Sequence, residues 1–228
     1  MWNLLEFEHN TALVNEKGES CTYTQLYEES RELAQNIGGR CLVFSLCSNS
    51  IGSVLGYVTF LNHQIVPLML DENVERSLLD SFLAEYRPDY LWLPQAQAAS
   101  FDGHVVYETR GYALLKRADM HSFSLHDDLA LLLTTSGSTG SPKFVRQSYA
   151  NIDANTTSIV EYLALDETER AITTLPMNYT YGLSIINTHL RAGATVILSP
   201  FTVIQREFWT LFTEQKATSF GGVPYTYE

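Results

Sequence analysis

The chain has little that would staple it, anchor it in lipid or give it positive charge. Its three cysteines, Cys21, Cys41 and Cys47, are odd in number and form no CxxC pair. That excludes a disulfide framework and the common zinc-knuckle spacings. Lys and Arg total 14 against 26 Asp and Glu, a formal net charge of −12. Such an excess repels phosphodiester backbones and anionic lipid, so neither a nucleic acid nor a membrane is expected as a partner. No long hydrophobic run is present. The most apolar stretch, 41–60, is broken by Ser45, Ser48, Asn49, Ser50, Gly52 and Ser53 and is too polar to span a bilayer. The start, MWNLLEFEHN, has no basic segment followed by an apolar core, so it does not read as a secretory leader and the chain is expected in the cytoplasm. What is there in quantity is core material. At 228 residues with 45% apolar and 12% aromatic content, the chain can bury one large or two smaller domains without a covalent staple.

The elements alternate. Thr22 and Gln25 have capping-box spacing, and Leu26, Leu33 and Ile37 recur at helical intervals before Gly38-Gly39, which predicts a helix. An apolar run at 41–46, a helix over 51–62 and a second run at 65–70 give strand, helix, strand. A helix over 74–86 stopped by Arg87-Pro88 and a strand at 90–93 extend the order, with short strands at 104–107 and 112–116. The run 129–134 reads as a strand buried on both faces. Helices at 148–163 and 181–192, strands at 171–175 and 194–198, and a helix placing Ile204, Phe208, Leu211 and Phe212 on one face continue the rhythm, and Pro224 suits the first position of a further helix. Alternation of this kind predicts an α/β fold of mostly parallel sheets with crossover helices. We expect two α/β subdomains, 1–128 and 129–228, the second incomplete.

One segment asks for a reason beyond folding. Thr134-Thr135-Ser136-Gly137-Ser138-Thr139-Gly140-Ser141-Pro142-Lys143 follows directly on the buried run. Its glycines let backbone N–H groups face a ligand, while the hydroxyls of Thr135, Ser136, Ser138 and Thr139 add donors and Lys143 a point charge, a combination suited to phosphate oxygens. Pro142 precedes the lysine and Phe144 follows it, so the Walker spacing and its magnesium hydroxyl are absent. Gly137 and Gly140 without a third glycine also fail the dinucleotide fingerprint.

At these residues the sequence resembles the adenylate-forming superfamily of acyl-CoA synthetases, nonribosomal peptide synthetase adenylation domains and luciferases. Ala12-Leu13-Val14, Gly18 and Thr22 to Leu26 are similar to its N-terminal segment. Leu175-Pro176-Met177 through Tyr181-Gly182-Leu183 are similar to the start of its acyl pocket, and Gly221-Gly222-Val223-Pro224 to a later strand-to-helix turn. The resemblance implies an ATP- and magnesium-dependent ligase that forms an acyl-adenylate from a small carboxylic acid. The acyl group then passes to a thiol such as coenzyme A or a carrier-protein phosphopantetheine, or to an amine. By the same resemblance Thr135, Ser136, Gly137, Ser138, Thr139, Gly140 and Lys143 hold the phosphates, and Tyr179, Tyr181, Gly182, Gly221 and Gly222 lie on the acyl side. Tyr179 stands where many members have a histidine, Phe144 replaces a usual glycine, and Tyr149 a frequent histidine. The family's adenine, ribose, magnesium and catalytic-lysine segments lie beyond Glu228. No catalytic residue or magnesium ligand is therefore expected here, and the chain reads as an N-terminal portion, inactive alone. Apolar surface near 220–227 is expected to favour self-association. The alternative is a non-catalytic ATP-binding or regulatory interaction module. His121 and His126 are off metal-ligand spacing, and the acidic cluster Asp166, Glu167 and Glu169 reads as a solvated turn.

Overall fold

The computed structural model describes residues 1–121, 123–134 and 144–226, the side chain of Tyr225 apart. In chain order the strands are β1 (Thr11–Asn15), β2 (Ser20–Thr22), β3 (Leu42–Cys47), β4 (Val66–Asp71), β5 (Tyr90–Pro94), β6 (His104–Thr109), β7 (Tyr112–Lys116), β8 (Leu129–Thr134), β9 (Phe144–Ser148), β10 (Arg170–Ile172), β11 (Thr195–Leu198) and β12 (Ser219–Phe220). The helices are α1 (Tyr23–Gln35), α2 (Ile51–Asn62), α3 (Arg76–Tyr86), α4 (Tyr149–Leu163), α5 (Thr180–Arg191) and α6 (Arg206–Glu214), with short 3-10 turns at Leu4–Phe7, Gln95–Ser100 and Pro224–Thr226. Among the described residues no helix is long and apolar enough to cross a membrane.

Two compact units result. One comprises 30–48 and 52–150, the other 1–29, 49–51 and 151–228. This differs from a single cut after 128, for two reasons. β1 pairs in parallel with β11, Leu13 against Val196, which gathers the N-terminal hairpin into the unit of the late strands. β8 pairs in parallel with β4, Leu68 against Leu132, which keeps 129–134 in the sheet begun by β3. Long-range pairing, invisible in element order, set the division.

The unit of 30–48 and 52–150 is a seven-stranded sheet ordered β6-β7-β5-β3-β4-β8-β9. Its central strands β5, β3, β4 and β8 are parallel, and antiparallel strands close both edges. β3 is buried along its whole length, as an apolar run covered on both faces requires. α3 lays Leu79, Phe82 and Leu83 on Leu42, Phe44, Leu68 and Leu91. β8 departs from the sequence reading: Leu129 and Leu132 are only half-buried, because they border an open cleft.

The other unit is a five-stranded sheet ordered β12-β10-β11-β1-β2, parallel except for the β1–β2 hairpin. The capping box forms as expected: the Thr22 N–H donates to Gln25 Oε1 at 2.9 Å and the Gln25 N–H to Thr22 Oγ1 at 3.2 Å. α6 packs Phe208 and Leu211 on Val14, Ile172 and Ile197. Ile204 does not share that face; it precedes the helix and is 91% exposed. Phe220 is half-buried and its ring meets Phe208 and Trp209, so the apolar surface expected there is partly covered within the unit. Tyr227 lies outside the described residues.

α5 ends on Gly193, whose φ of +72° suits a left-handed turn, and the Tyr23 hydroxyl donates to Ala194 O at 2.8 Å. Beside this turn His189 is buried, with Nδ1 2.8 Å from Ile185 O. With the proton on Nδ1, Nε2 is a buried acceptor that finds no partner among the described residues. Protonation would leave a buried charge with an unpaired donor, so desolvation holds this histidine below its ordinary value, with the Ile185 carbonyl and Glu169 opposing. A folded-state value below the unfolded one means stability that is complete above about pH 6.5 and is lost as pH falls toward the folded value. Urea unfolding midpoints should therefore drop between pH 7 and pH 5, and His189→Asn should flatten that slope. An unchanged slope in the variant would assign the pH dependence elsewhere.

Candidate functional site

β8 and β9 are antiparallel, in register out to Thr134 against Phe144. The Ser/Gly/Thr-rich segment therefore joins two strands of one hairpin, whereas a Walker loop joins a strand to a helix. Helix α4 begins only at Tyr149. Thr135, Ser136, Gly137, Ser138, Thr139, Gly140 and Lys143 themselves lie outside the described residues. What leads into and out of them is well fixed. Arg40 grips the entry of β8, donating from Nη1 to Gln64 O at 2.7 Å and from Nη2 to Leu129 O at 2.8 Å. At the exit, the Phe144 ring meets Phe82 edge-on at 5.0 Å and Tyr86 at 5.2 Å between centroids. The residue after the motif lysine is thereby pinned to α3. Phe144→Gly, which restores the residue usual in the resembling family, should cost about 2 kcal/mol, less than a fully buried aromatic because the ring is only partly covered. Urea unfolding checks it, and a neutral result would mean that the aromatic contacts carry little of the hairpin's stability.

Strand β4 lies beside β8 and runs parallel to it, so both end at the same edge of the sheet. Asp71 closes β4 and Glu72 follows. Partial burial raises the Glu72 carboxyl above the usual carboxylate range, with a hydrogen bond from Ser48 opposing. Tyr149 opens α4 half-buried, and burial pushes its phenol up, with Arg40 opposing.

The acyl-side candidates fall in the other unit, around the start of α5. Tyr179 is the N-cap in extended backbone, makes no side-chain cap bond, and is 51% exposed. The first amides of α5 thus keep their partial positive charge uncompensated by a capping side chain. Gly182 is required by crowding: a Cβ there would stand 2.3 Å from Pro176 O and 2.9 Å from Leu175 O. Tyr181, 41% exposed, places its hydroxyl 3.1 Å from where a Cβ on Gly221 would be, and Ile185 Cδ1 stands 2.7 Å from the same point. Thr174 Oγ1 donates to Gly221 O, and Gly222 follows half-buried. The structure therefore brings Tyr181, Gly182 and Gly221 into one corner with Ile185 and Thr174, while Tyr179 stands at the helix entrance. Sequence reasoning missed Ile185 and Thr174 as parts of this corner, although Ile185 is one helical turn beyond Tyr181, an i, i+4 relation that could have shown it. Among the described residues no group of three or more His, Cys, Asp or Glu could hold a metal ion.

Comparison with known proteins decides the family. The model of the AMP-binding enzyme family matches residues 2–228. The chain belongs to the AMP-binding enzyme family. Peroxisomal OPC-8:0-CoA ligase 1 of Arabidopsis thaliana is 41% identical over 101 residues, 43% of this chain and 18% of that protein. The 3,4-dihydroxybenzoate–aryl-carrier protein ligase of Bacillus anthracis is 25% identical over 159 residues, 70% of this chain and 34% of that one. O-succinylbenzoate coenzyme A synthetase (MenE) from Bacillus subtilis, solved with ATP and magnesium ion, superposes with a TM-score of 0.77 at 19% identity, covering 100% of this chain and 65% of its own. That likeness establishes the α/β fold of the family. The chain thus spans less than two thirds of the length of each of these proteins.

Proposed function

We propose that this chain contributes the phosphate-binding and acyl-side portion of an AMP-forming acid–thiol ligase. The observation that carries the reading is the family match over 2–228, together with the Thr134 to Lys143 motif set between β8 and β9. ATP and a carboxylic acid are the substrates. A carboxylate oxygen attacks the α-phosphorus, the bond to the bridging oxygen breaks, and pyrophosphate leaves with its electron pair. A thiolate then attacks the acyl carbon and AMP departs. Both steps gain mainly from positioning and charge stabilisation.

The donor set fits triphosphate chemistry. Backbone amides freed by Gly137 and Gly140, the hydroxyls of Thr135, Ser136, Ser138 and Thr139, and the Lys143 ammonium can satisfy β- and γ-phosphate oxygens. Magnesium, when bound, screens phosphate charge. On the acyl side, the uncapped start of α5 favours a carboxylate, Tyr179 can donate one hydrogen bond to it, and Tyr181, Gly182, Gly221 and Gly222 border the acyl group. Coenzyme A or carrier-protein phosphopantetheine is the acceptor, in keeping with the two ligases it resembles, and the cytoplasm is the site of action.

ATP–pyrophosphate exchange with the encoded protein, over short, medium-chain and aromatic acids, tests the reading. Acid-dependent exchange is expected. Saturable ATP binding with no exchange for any acid would reduce the protein to a nucleotide-binding module.

A further inference from the structure

A cleft of about 480 Å³ opens in the unit of 30–48 and 52–150, beside α3. Its walls are Tyr86 of α3, Leu132 of β8, Phe144 and Arg146 of β9, and Phe123 and Leu125 of the segment leading into β8. It shares none of the acyl-side residues named above. The size falls within the range of small-molecule sites, and among the described residues the lining is of the usual kind, mainly apolar and aromatic with the Ser124 hydroxyl and one charged group. β9 is the edge strand beyond β8, and alternation along it sends Phe144 and Arg146 to the same face. Leu132, the register partner of Arg146, is a bulky apolar residue left only half-buried in an otherwise apolar strand.

Arg146 sets the polarity of this cleft. It stands exposed at the mouth of the cleft and, among the described residues, is the one charged group of its lining. A guanidinium at the border of an apolar cleft offers two parallel donors to a planar carboxylate. A phosphate dianion fits less well, since among the described residues no second cation lines the cleft and the net charge of the chain opposes a concentrated negative ligand. We propose that this cleft binds an amphipathic monocarboxylate, its alkyl or aryl body against Phe123, Leu125 and Leu132 and its carboxylate on Arg146, with none of its lining residues shared with the acyl-side candidates.

Calorimetric titration of the chain with octanoate and with phenylpropanoate, in the absence of ATP, is the test, with octanol as the neutral counterpart. Saturable binding of at least one acid is expected. Arg146→Gln should weaken it about tenfold while leaving octanol unchanged, the loss typical of a charge-assisted hydrogen bond. Arg146→Lys should recover part of that loss, and Phe123→Asp, at an exposed position that does not endanger folding, should weaken acid and alcohol alike. No binding of either acid overturns the proposal. So does binding indifferent to both Arg146→Gln and Phe123→Asp, which would place the acid elsewhere, the acid-activating site included. Because these titrations need neither ATP nor turnover, they can fail while exchange activity stands, and the reverse.

Discussion

Lys143→Ala should lower ATP–pyrophosphate exchange of the encoded protein by about a hundredfold or more at ATP well below saturation. The lysine is the only cation in the run 134–143, so its removal leaves neutral hydroxyls and amides to meet phosphate oxygens whose charge grows as pyrophosphate departs. Losing one preorganised donor at a developing charge typically costs about 10²- to 10³-fold in rate. Folding should not share in the loss. Among the described residues the hairpin ladder runs out to Thr134 and Phe144, and the cover of its exit comes from Phe82 and Tyr86, none of which is substituted. Lys143→Arg should recover little, because a planar fork does not replace a compact, strongly hydrated ammonium. Thermal unfolding of the variants should match the wild type. If exchange with Lys143→Ala runs at the wild-type rate under those conditions, the phosphate-binding assignment of the motif is wrong.

The motif and the central layers were readable from sequence because each rests on local chemistry. The helix at 51–62 and the strand at 129–134 fall at the bounds expected, since each is a dense apolar run between polar stops. The cap of α1 was readable because Thr22 and Gln25 satisfy each other's amides within one turn. What escaped depends on partners distant in the chain. β1 and β2 are short and carry no pattern longer than Ala12-Leu13-Val14; their identity comes from β11. β9 escaped because nine residues separate it from β8, longer than ordinary hairpin connections, and because Phe-Val-Arg-Gln-Ser alternates poorly. Phe144 is the instructive case. It departs from the glycine usual at this place in the resembling family, and its ring has a packing role on α3 that the motif alone could not reveal. On the acyl side Gly182 and Gly221 were marked by resemblance, and the structure adds the steric reasons, carbonyls of Pro176 and Leu175 in one case and Ile185 with Tyr181 in the other.

Gly56→Ala should destabilise the protein by about 3 kcal/mol, against the direction that helix propensity alone would give. In an exposed helix interior the same change gains about 1 kcal/mol. Here a Cβ on Gly56 would stand 2.1 Å from Trp92 Nε1 and 2.4 Å from Trp92 Cδ1, well inside van der Waals contact. The indole cannot yield cheaply. It is fully buried, tilts on Tyr112 at 5.3 Å and meets Phe60 edge-on at 6.5 Å. Its Nε1–H donates to Gly52 O at 3.0 Å, one turn away on the same helix face. Tyr112 is held in turn, donating to Leu46 O at 3.0 Å. Moving the ring far enough to admit a methyl group strains this packing at about 1–3 kcal/mol and stretches a buried hydrogen bond whose loss costs about 1–3 kcal/mol more. Together these outweigh the propensity gain. Trp92→Phe removes the pyrrole edge that faces Gly56, so Gly56→Ala should cost markedly less in that background than in the wild type, a coupling that a double-mutant cycle reads directly. Gly38→Ala is the control, since the nearest atom to its Cβ is Tyr90 Oη at 3.9 Å, and its effect should stay within about 0.5 kcal/mol. A Gly56→Ala protein as stable as the wild type in urea would show that Trp92 is not seated over this glycine, and the packing of β5 against α2 would have to be redrawn.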